Sequence, residues 1–409
     1  MNYSAISQHE MEYSSIIRHP ISKKRDLQCR KMRRGSGMDL QMAGNLRIDL
    51  AALVANYRLI AAQVAPASVA GVVKANAYGL GAAEISRALL DAGCRHFFVA
   101  HLCEATALRP HLPTDATLYI LNGVQPGAEA VCAAIGALPV LNSLEQIDGW
   151  AAVARTQGHA LPAVIQVDSG MSRLGLASAE LATLRDQPDR LAGIDVRLVM
   201  THLACADHPD DSFNEHQRAT FDAIARQFPG VPRSIDNSGG AMTAGVTHGD
   251  IVRAGIALYG GAPHGEPNPM HAVVSLDAYI VQLRTVEAGA GVGYGLTHRF
   301  DRPSHVATVS VGYADGWPRH LSNRGFAYIG GVRAPIVGRV SMDSLALDVT
   351  DVPDYLLYPA AAVELIGPHQ SIDDVAAQAD TISYEILTRL GPRYARTYLP
   401  APAAAIQEQ

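Results

Sequence analysis

The sequence predicts an α/β fold, a (β/α)8 TIM-like barrel followed by a mostly β C-terminal domain. Three observations carry that prediction. Between Val69 and Gly255, eight short apolar runs alternate with Ala-rich, helix-like segments, the repeat of a parallel barrel. A Pro/Gly-rich connector, Ala262 to Pro269, then breaks the repeat. Beyond it apolar and polar residues alternate, the period-two pattern of strands that bury one face.

The elements follow in chain order. Residues 1–44 hold a basic cluster (Lys23, Lys24, Arg25, Arg30, Lys31, Arg33 and Arg34) without the apolar stretch of a secretory signal. Lacking any core-forming pattern, this extension is expected to be disordered rather than a transit or nucleic-acid-binding tail. The barrel is expected over 45–262, although Asn45–Leu50 alternates like a strand able to pair with the C-terminal domain. Its runs are Val69–Val73, His96–Val99, Thr117–Leu121, Leu138–Leu141, Ala163–Val167, Val196–Met200, Arg233–Ile235 and Ile251–Val252. Helices are expected over Ala82–Asp91, Ser143–Thr156 and Ser212–Gln227, the last two opened by a serine N-cap. The spacings are too uneven for a solenoid. In the C-terminal domain, 263–409, strands are expected over Val273–Val286, His305–Val311, Phe326–Ile329, Val332–Val337 and Leu345–Val349. Gly330-Gly331 makes a hairpin turn, and two short helices, Asp373–Ala379 and Ser383–Leu390, close the domain.

Composition narrows the function classes. At 409 residues, 48% hydrophobic and 18% charged, the chain has the make-up of a soluble globular protein of two or three domains. A formal charge of 33 − 39 = −6 argues against nucleic acid as the main partner. Five cysteines without a C-x-x-C pair suit a reducing, cytoplasmic setting better than a disulfide framework. No apolar run approaches the roughly 18 residues that cross a bilayer.

The lysine count is the sharpest local signal. Lys23, Lys24 and Lys31 lie in the extension, and Lys74 is the only other lysine. Arginine stays protonated, whereas a lysine amine can be desolvated, deprotonated and made nucleophilic. A barrel's active site lies at the carboxyl ends of its strands, and there the sequence sets Lys74 and Tyr78, Asp168 to Arg173, His202, Asp236 to Gly240, and Arg253 to Ile256. Ser238-Gly-Gly and Gly255-Ile256 follow the seventh and eighth runs, where barrels often bind phosphate. A lysine, a phosphate cradle and an arginine able to meet a heterocycle nitrogen are what pyridoxal 5′-phosphate requires.

Seven motifs then make a resemblance specific. They are Val72-Val-Lys74-Ala-Asn-Ala-Tyr78-Gly-Leu-Gly81, Asp168-Ser-Gly-Met-Ser-Arg173-Leu-Gly175, Asp236-Asn-Ser238, Arg253-Ala-Gly-Ile-Ala-Leu-Tyr-Gly260, Gly293-Tyr294-Gly295, Gly312-Tyr313-Ala-Asp-Gly316 and Gly338-Arg-Val-Ser-Met342-Asp343. In this order, from about Asn45 to Tyr398, the chain resembles the alanine racemases, pyridoxal-phosphate enzymes of fold type III. The resemblance implies an isomerase that interconverts L- and D-alanine by two bases acting on a pyridoxal-phosphate imine. Lys74 would hold the cofactor and serve one face of the α-carbon, and Tyr294 the other. Tyr78, Ser238, Gly255, Ile256 and Tyr384 would hold the phosphate. Arg253 would face the pyridine nitrogen, with His202 linking it to Tyr294. Arg173 and Met342 would bind the substrate carboxylate, and Tyr313 would line the entry. Since the tyrosine comes from the neighbouring subunit in the family, the resemblance implies a homodimer with shared active sites, whose product serves peptidoglycan synthesis or D-alanine breakdown.

The chemistry agrees with two bases, because a racemase removes a proton on one face and returns one on the other. One departure stands out. Where many members carry a lysine that becomes a carbamate, this chain has Gln166, whose amide oxygen is expected to accept a bond from Arg173. Rival readings are a broad-specificity or serine racemase on the same scaffold, a non-catalytic pyridoxal-phosphate carrier, and a zinc hydrolase built on His202, Cys205, Asp207 and His208. The carrier would need no second domain, and the zinc ligands lack a usual spacing. Gly289-Ala-Gly-Val-Gly293 reads as turn glycines rather than a dinucleotide loop, because no helix is expected after it.

Overall fold

A computed structural model describes residues 42–265 and 267–400; the extension expected to be disordered lies outside the described residues but for its last three. The chain first forms β1 (Gly44–Asp49), then the barrel strands β2 (Ser68–Val72), β3 (His96–Val99), β4 (Thr117–Ile120), β5 (Leu138–Leu141), β6 (Leu161–Gln166), β7 (Ile194–Met200), β8 (Arg233–Ser234) and β9 (Ile251–Ala254). These eight are parallel neighbours in the order β8-β7-β6-β5-β4-β3-β2-β9. No ladder joins β8 to β9. That seam is held instead by Asp250 N donating to Arg233 O (2.7 Å) and Arg253 N to Asp236 O (2.9 Å), which brings the ends of β8 and β9, and so Ser238 and Arg253, to one rim.

The second half contributes β10 (Val274–Val286), β11 (Gly291–Val292), β12 (His298–Arg299), β13 (Ser304–Val309), β14 (Phe326–Ile329), β15 (Val332–Pro335), β16 (Leu345–Asp348), β17 (Ala362–Ile366) and β18 (Tyr394–Leu399). The thirteen-residue β10 organises it, pairing with β1, β13 and β17 around an irregularity at Ile280/Gln282. β1 runs antiparallel to β10 and parallel to β18, so the strand that precedes the barrel is an inner strand of the C-terminal sheet. Its side chains explain why: Gly44, Leu46 and Ile48 are buried and alternate with half-buried polar residues. Gly44 must lack a side chain, because a Cβ there would run into Asp277 O.

Several local expectations change. Helix Ser212–Ala225 is capped by Asp211, whose Oδ1 accepts from Phe213 N at 2.8 Å, not by Ser212. Ser143 does cap the helix Leu144–Gln157. The helix Leu50–Val64, capped by Asp49 through Ala51 N and Ala52 N, was not anticipated. Neither were β17 and β18, whose Ala-Val-Glu-Leu-Ile and Tyr-Ala-Arg-Thr-Tyr-Leu patterns are short or charged. Gly291-Val292 is a strand, and only the single turn Tyr294–Leu296 follows it.

Leu46 is fully buried in β1, where it is paired with Leu276 and Arg396. Leu46→Ala is therefore expected to cost about 2–5 kcal/mol of stability, read as a fall in the urea midpoint. A variant with the wild-type midpoint would mean that β1 is peripheral to the C-terminal fold.

Candidate active site

A cavity of about 340 Å³ opens at the carboxyl ends of the barrel strands, within the range of small-molecule sites. Lys74, Tyr78, Arg173, His202, Ser238, Arg253, Gly255, Ile256 and Tyr384 all line it, as does Gln166. Tyr294, Tyr313 and Met342 do not. They lie on the C-terminal domain with 71%, 42% and 53% of their surface exposed.

Lys74 leaves β2 into a turn of rare hand. Ala75, Asn76, Ala77 and Tyr78 all have φ between 52° and 55°, a left-handed helical run that costs L-residues roughly 1–2 kcal/mol each. Its ends are tied down by Ala77 N to Val73 O (2.8 Å), Gly79 N to Ala75 O (2.8 Å) and Arg396, which donates to Gly79 O at 3.1 Å. Lys74 and Tyr78 thereby reach the same cavity. Burial pushes the Lys74 ammonium below its ordinary pKa, and the charges of Arg173 and Arg253 push the same way, while Glu104 opposes them.

Arg253, on β9, is buried. Its guanidinium donates to Ser234 Oγ (2.5 Å), Thr201 O (2.7 Å) and Ile235 O (3.2 Å), and meets His202 Nδ1 at 3.0 Å. Burial brings its pKa down to about 10, against the pull of Asp236. Since a guanidinium can only donate, Nδ1 of His202 must accept, which leaves the imidazole proton on Nε2. Burial, and then Arg253, Arg173 and Lys74, hold His202 well below its usual pKa and so neutral. Beneath this pair sits Asp236, fully buried and satisfied by Arg218 Nη2 (2.5 Å) and His248 Nδ1 (2.8 Å). Gln217, also fully buried, ties Ala204 N (2.8 Å) to His202 O (3.0 Å). Ser234, Gln217 and His248 were not singled out from sequence; each is a polar residue in or beside a barrel element, and only the fold shows that its partner is part of the site.

Also lining the cavity, Ser238 Oγ accepts from Gly255 N (2.9 Å) and Ala257 N (3.3 Å), leaving its hydroxyl proton to be donated outward. A Cβ on Gly255 would strike the Tyr78 hydroxyl, and one on Gly239 would strike Ala206 O. Tyr78 packs on Tyr259 and Tyr384 with ring centroids 4.7 and 5.8 Å apart. Burial raises the pKa of Tyr78, and that of Tyr384 to about 12, so both remain phenols that donate. Glycine backbone, a serine and two neutral phenols suit an anionic group such as a phosphate.

Arg173 stands exposed at the mouth on a loop folded around Asp168, whose Oδ1 accepts from Gly170 N (2.9 Å) and Ser172 N (3.1 Å). Gln166 corrects an expectation. It forms no hydrogen bond to Arg173 among the described residues; its amide donates instead to Leu174 O at 3.2 Å, fixing the loop one residue farther on.

The three residues outside the cavity share one face. Tyr313 N donates to Ser341 O (3.0 Å) and Ala314 N to Met342 O (2.9 Å). Buried Asp315 accepts from Gly312 N (2.9 Å) and from Arg393 (2.6 Å), which also reaches Asp343 (2.7 Å), locking the two loops together. The turn bearing Tyr294 lies against the same stretch: a Cβ on Gly295 would meet the Arg339 guanidinium at 3.3 Å.

Comparisons with known proteins identify the family. Residues 48–263 match the family model "Alanine racemase, N-terminal domain" and 273–398 "Alanine racemase, C-terminal domain". The chain is 50% identical over 375 residues to alanine racemase of Brucella abortus, covering 88% of this chain and 95% of that one. It is also 50% identical over 367 residues to a catabolic alanine racemase of Agrobacterium fabrum, covering 89% and 95%. Among solved structures, alanine racemase of Bartonella henselae with covalently bound pyridoxal phosphate superposes with a TM-score of 0.84 at 45% identity, over 87% of this chain and 99% of that one. The biosynthetic alanine racemase of Pseudomonas aeruginosa gives 0.81 at 34%, over 88% and 100%.

Lys74 is the only lysine beyond the N-terminal extension, so its titration can be followed directly. In the apoprotein, acetylation of the Lys74 peptide is expected to set in at lower pH than that of lysine in an unstructured peptide. An equal midpoint would contradict the surroundings described for this amine.

Proposed function

The chain belongs to the alanine racemase family, and from that premise we propose how its own residues carry out the interconversion of L- and D-alanine. Its cofactor is pyridoxal 5′-phosphate, which when bound supplies an electron sink that makes the α-proton of alanine removable. The residues suit it. Lys74 is the amine that would hold its carbonyl carbon. Tyr78, Tyr384, Ser238 and the backbone at Gly255 and Ile256 would hold the phosphate. Arg253 would face the ring nitrogen, since its Nε takes part in none of the four contacts that anchor the guanidinium. An arginine, unlike a carboxylic acid, does not pass a proton to that nitrogen.

Two groups of suitable type are available for the proton transfers. Lys74 would take or return a proton at Nζ on one face of the α-carbon, helped by its depressed pKa. Tyr294 would act at its phenolic oxygen on the other face. The Nε2–H of neutral His202, backed by Arg253, would donate to that oxygen. Arg173 would bind the substrate carboxylate with the Met342 backbone, and Tyr313 would narrow the entry.

The observation that carries the reading is the gathering of Lys74, Arg253, His202 and the phosphate cradle in one cavity. Tyr294, exposed on the same chain, supports a homodimer in which the second subunit's Tyr294, Tyr313 and Met342 complete the site. Enantiomers have equal free energy, so one site serves both supply of D-alanine for peptidoglycan and its breakdown. No helix among the described residues is long and apolar enough to cross a membrane, and the free cysteines support a cytoplasmic enzyme.

Tyr294→Phe tests the two bases. It is expected to lower racemisation in both directions by about 10²–10⁴, while exchange of the α-hydrogen with deuterated solvent survives for one enantiomer through Lys74. Retention of exchange for both enantiomers would remove Tyr294 from the chemistry. Gly255→Ala is expected to weaken cofactor binding at least tenfold, about 1.4 kcal/mol, because its methyl group displaces Tyr78; unchanged cofactor affinity in a spectroscopic titration would refute the assigned cradle.

A further inference from the structure

The left-handed run that carries Lys74 is held from one side by a carboxylate that the mechanism above does not use. Glu104 is the third residue of helix Leu102–Leu108, and its Oε2 accepts from Ala100 N (2.7 Å) and His101 N (3.1 Å), an ordinary capping arrangement. Its other oxygen does something a cap does not require. Oε1 accepts the amide of Ala75, the first residue of the left-handed run, at 2.5 Å. The same carboxylate therefore joins the end of β3 to the residue that follows Lys74.

Ala75 and Asn76 are exposed on that side. A cavity of about 360 Å³, lined by Val73, Asn76, Ala82, Val99, Glu104 and Leu108 among others, lies against it, so packing there is incomplete. Asn76 Oδ1 accepts from Ala82 N at 2.9 Å, at the start of the helix Ala82–Asp91. Alanine, alanine and tyrosine have no preference for this backbone region, and such conformations persist only where their surroundings over-determine them. Helix propensity on its own would return the segment to the right-handed form and move Lys74 relative to Tyr78.

We propose that Glu104 is a positioning residue for Lys74, its carboxylate clamping the first left-handed amide and setting the charge beside the amine. The proposal rests on the reading of Lys74 as the cofactor-bearing lysine. Glu104 is the anionic neighbour set against two cations: Arg173 and Arg253 press the Lys74 pKa down and Glu104 raises it. His202, Tyr78 and Tyr384 are the other titratable groups that share the cavity, and His202 is held neutral and the two phenols protonated as described above.

The test uses the apoprotein and does not depend on turnover. In Glu104→Gln one amide oxygen replaces two carboxylate oxygens, so it cannot serve Ala75, Ala100 and His101 equally, and the charge is gone. Hydrogen exchange in the peptide spanning 74–80 is expected to speed up about tenfold or more, and the pH midpoint for acetylation of Lys74 is expected to move lower still, because an anionic neighbour has been removed. Glu104→Asp keeps the charge but draws the carboxylate back by one methylene; it should show the faster exchange with a midpoint near that of the wild type, and it serves as the test if the glutamine variant does not fold. Wild-type exchange in either variant, or an unchanged midpoint in Glu104→Gln, would reduce Glu104 to a helix cap and overturn the proposal. Failure of the Lys74 reading is distinguishable, since it would show as a cofactor bond at another lysine and leave these apoprotein results untouched.

Discussion

On the proposed reading Lys74 acts as a base at neutral pH, which requires its amine to give up a proton more readily than an ordinary lysine does. Water would favour its ammonium form by several pH units. The protein answers with burial at the end of β2 and with the guanidinium groups of Arg173 and Arg253 as neighbours. Both devices are costly. Burying Arg253 requires Ser234, the Thr201 and Ile235 carbonyls and His202 around it, and a second layer in which Asp236 is fixed by Arg218 and His248. The left-handed run that aims Lys74 needs anchors of its own from β18 and from Glu104. Much of the barrel rim can be understood as support for one amine whose pKa is lowered.

The same rim explains the division between the two halves of the chain. Barrel strands end at a common mouth, so they readily bring together an amine, a phosphate cradle and an arginine. Tyr294 does not line that mouth; it is exposed on a face built by the Gly338–Met342 loop and the Asp315–Arg393 contact. On the proposed reading that face belongs to the site of a second subunit. The C-terminal sheet is tied to the barrel through β1, which is threaded between β10 and β18.

How much of this could be read from the sequence depends on the kind of signal. The eight barrel strands were legible because each is a short apolar run between helical segments, and the lone lysine beyond the extension was visible by counting. β18 was not, because it is an edge strand beside β1 and carries the half-buried Arg396 and the exposed Thr397. Gln166 departs from expectation for a different reason. Its distance from Arg173 in sequence is short, but the loop reverses at Ser172 and Gly175, both with positive φ, and this brings Leu174 O to the amide. The supporting residues Ser234, Gln217, His248 and Glu104 carry no local pattern. Their roles depend on strand ends meeting across the ring.

The account stands or falls on Lys74 being the residue that bears the cofactor. Borohydride reduction of the enzyme loaded with pyridoxal phosphate, followed by peptide mapping, reads this directly. The account predicts the pyridoxyl label on the peptide that contains Lys74 and loss of that label in Lys74→Ala. A label on Lys23, Lys24 or Lys31, with racemase activity retained in Lys74→Ala, would contradict it.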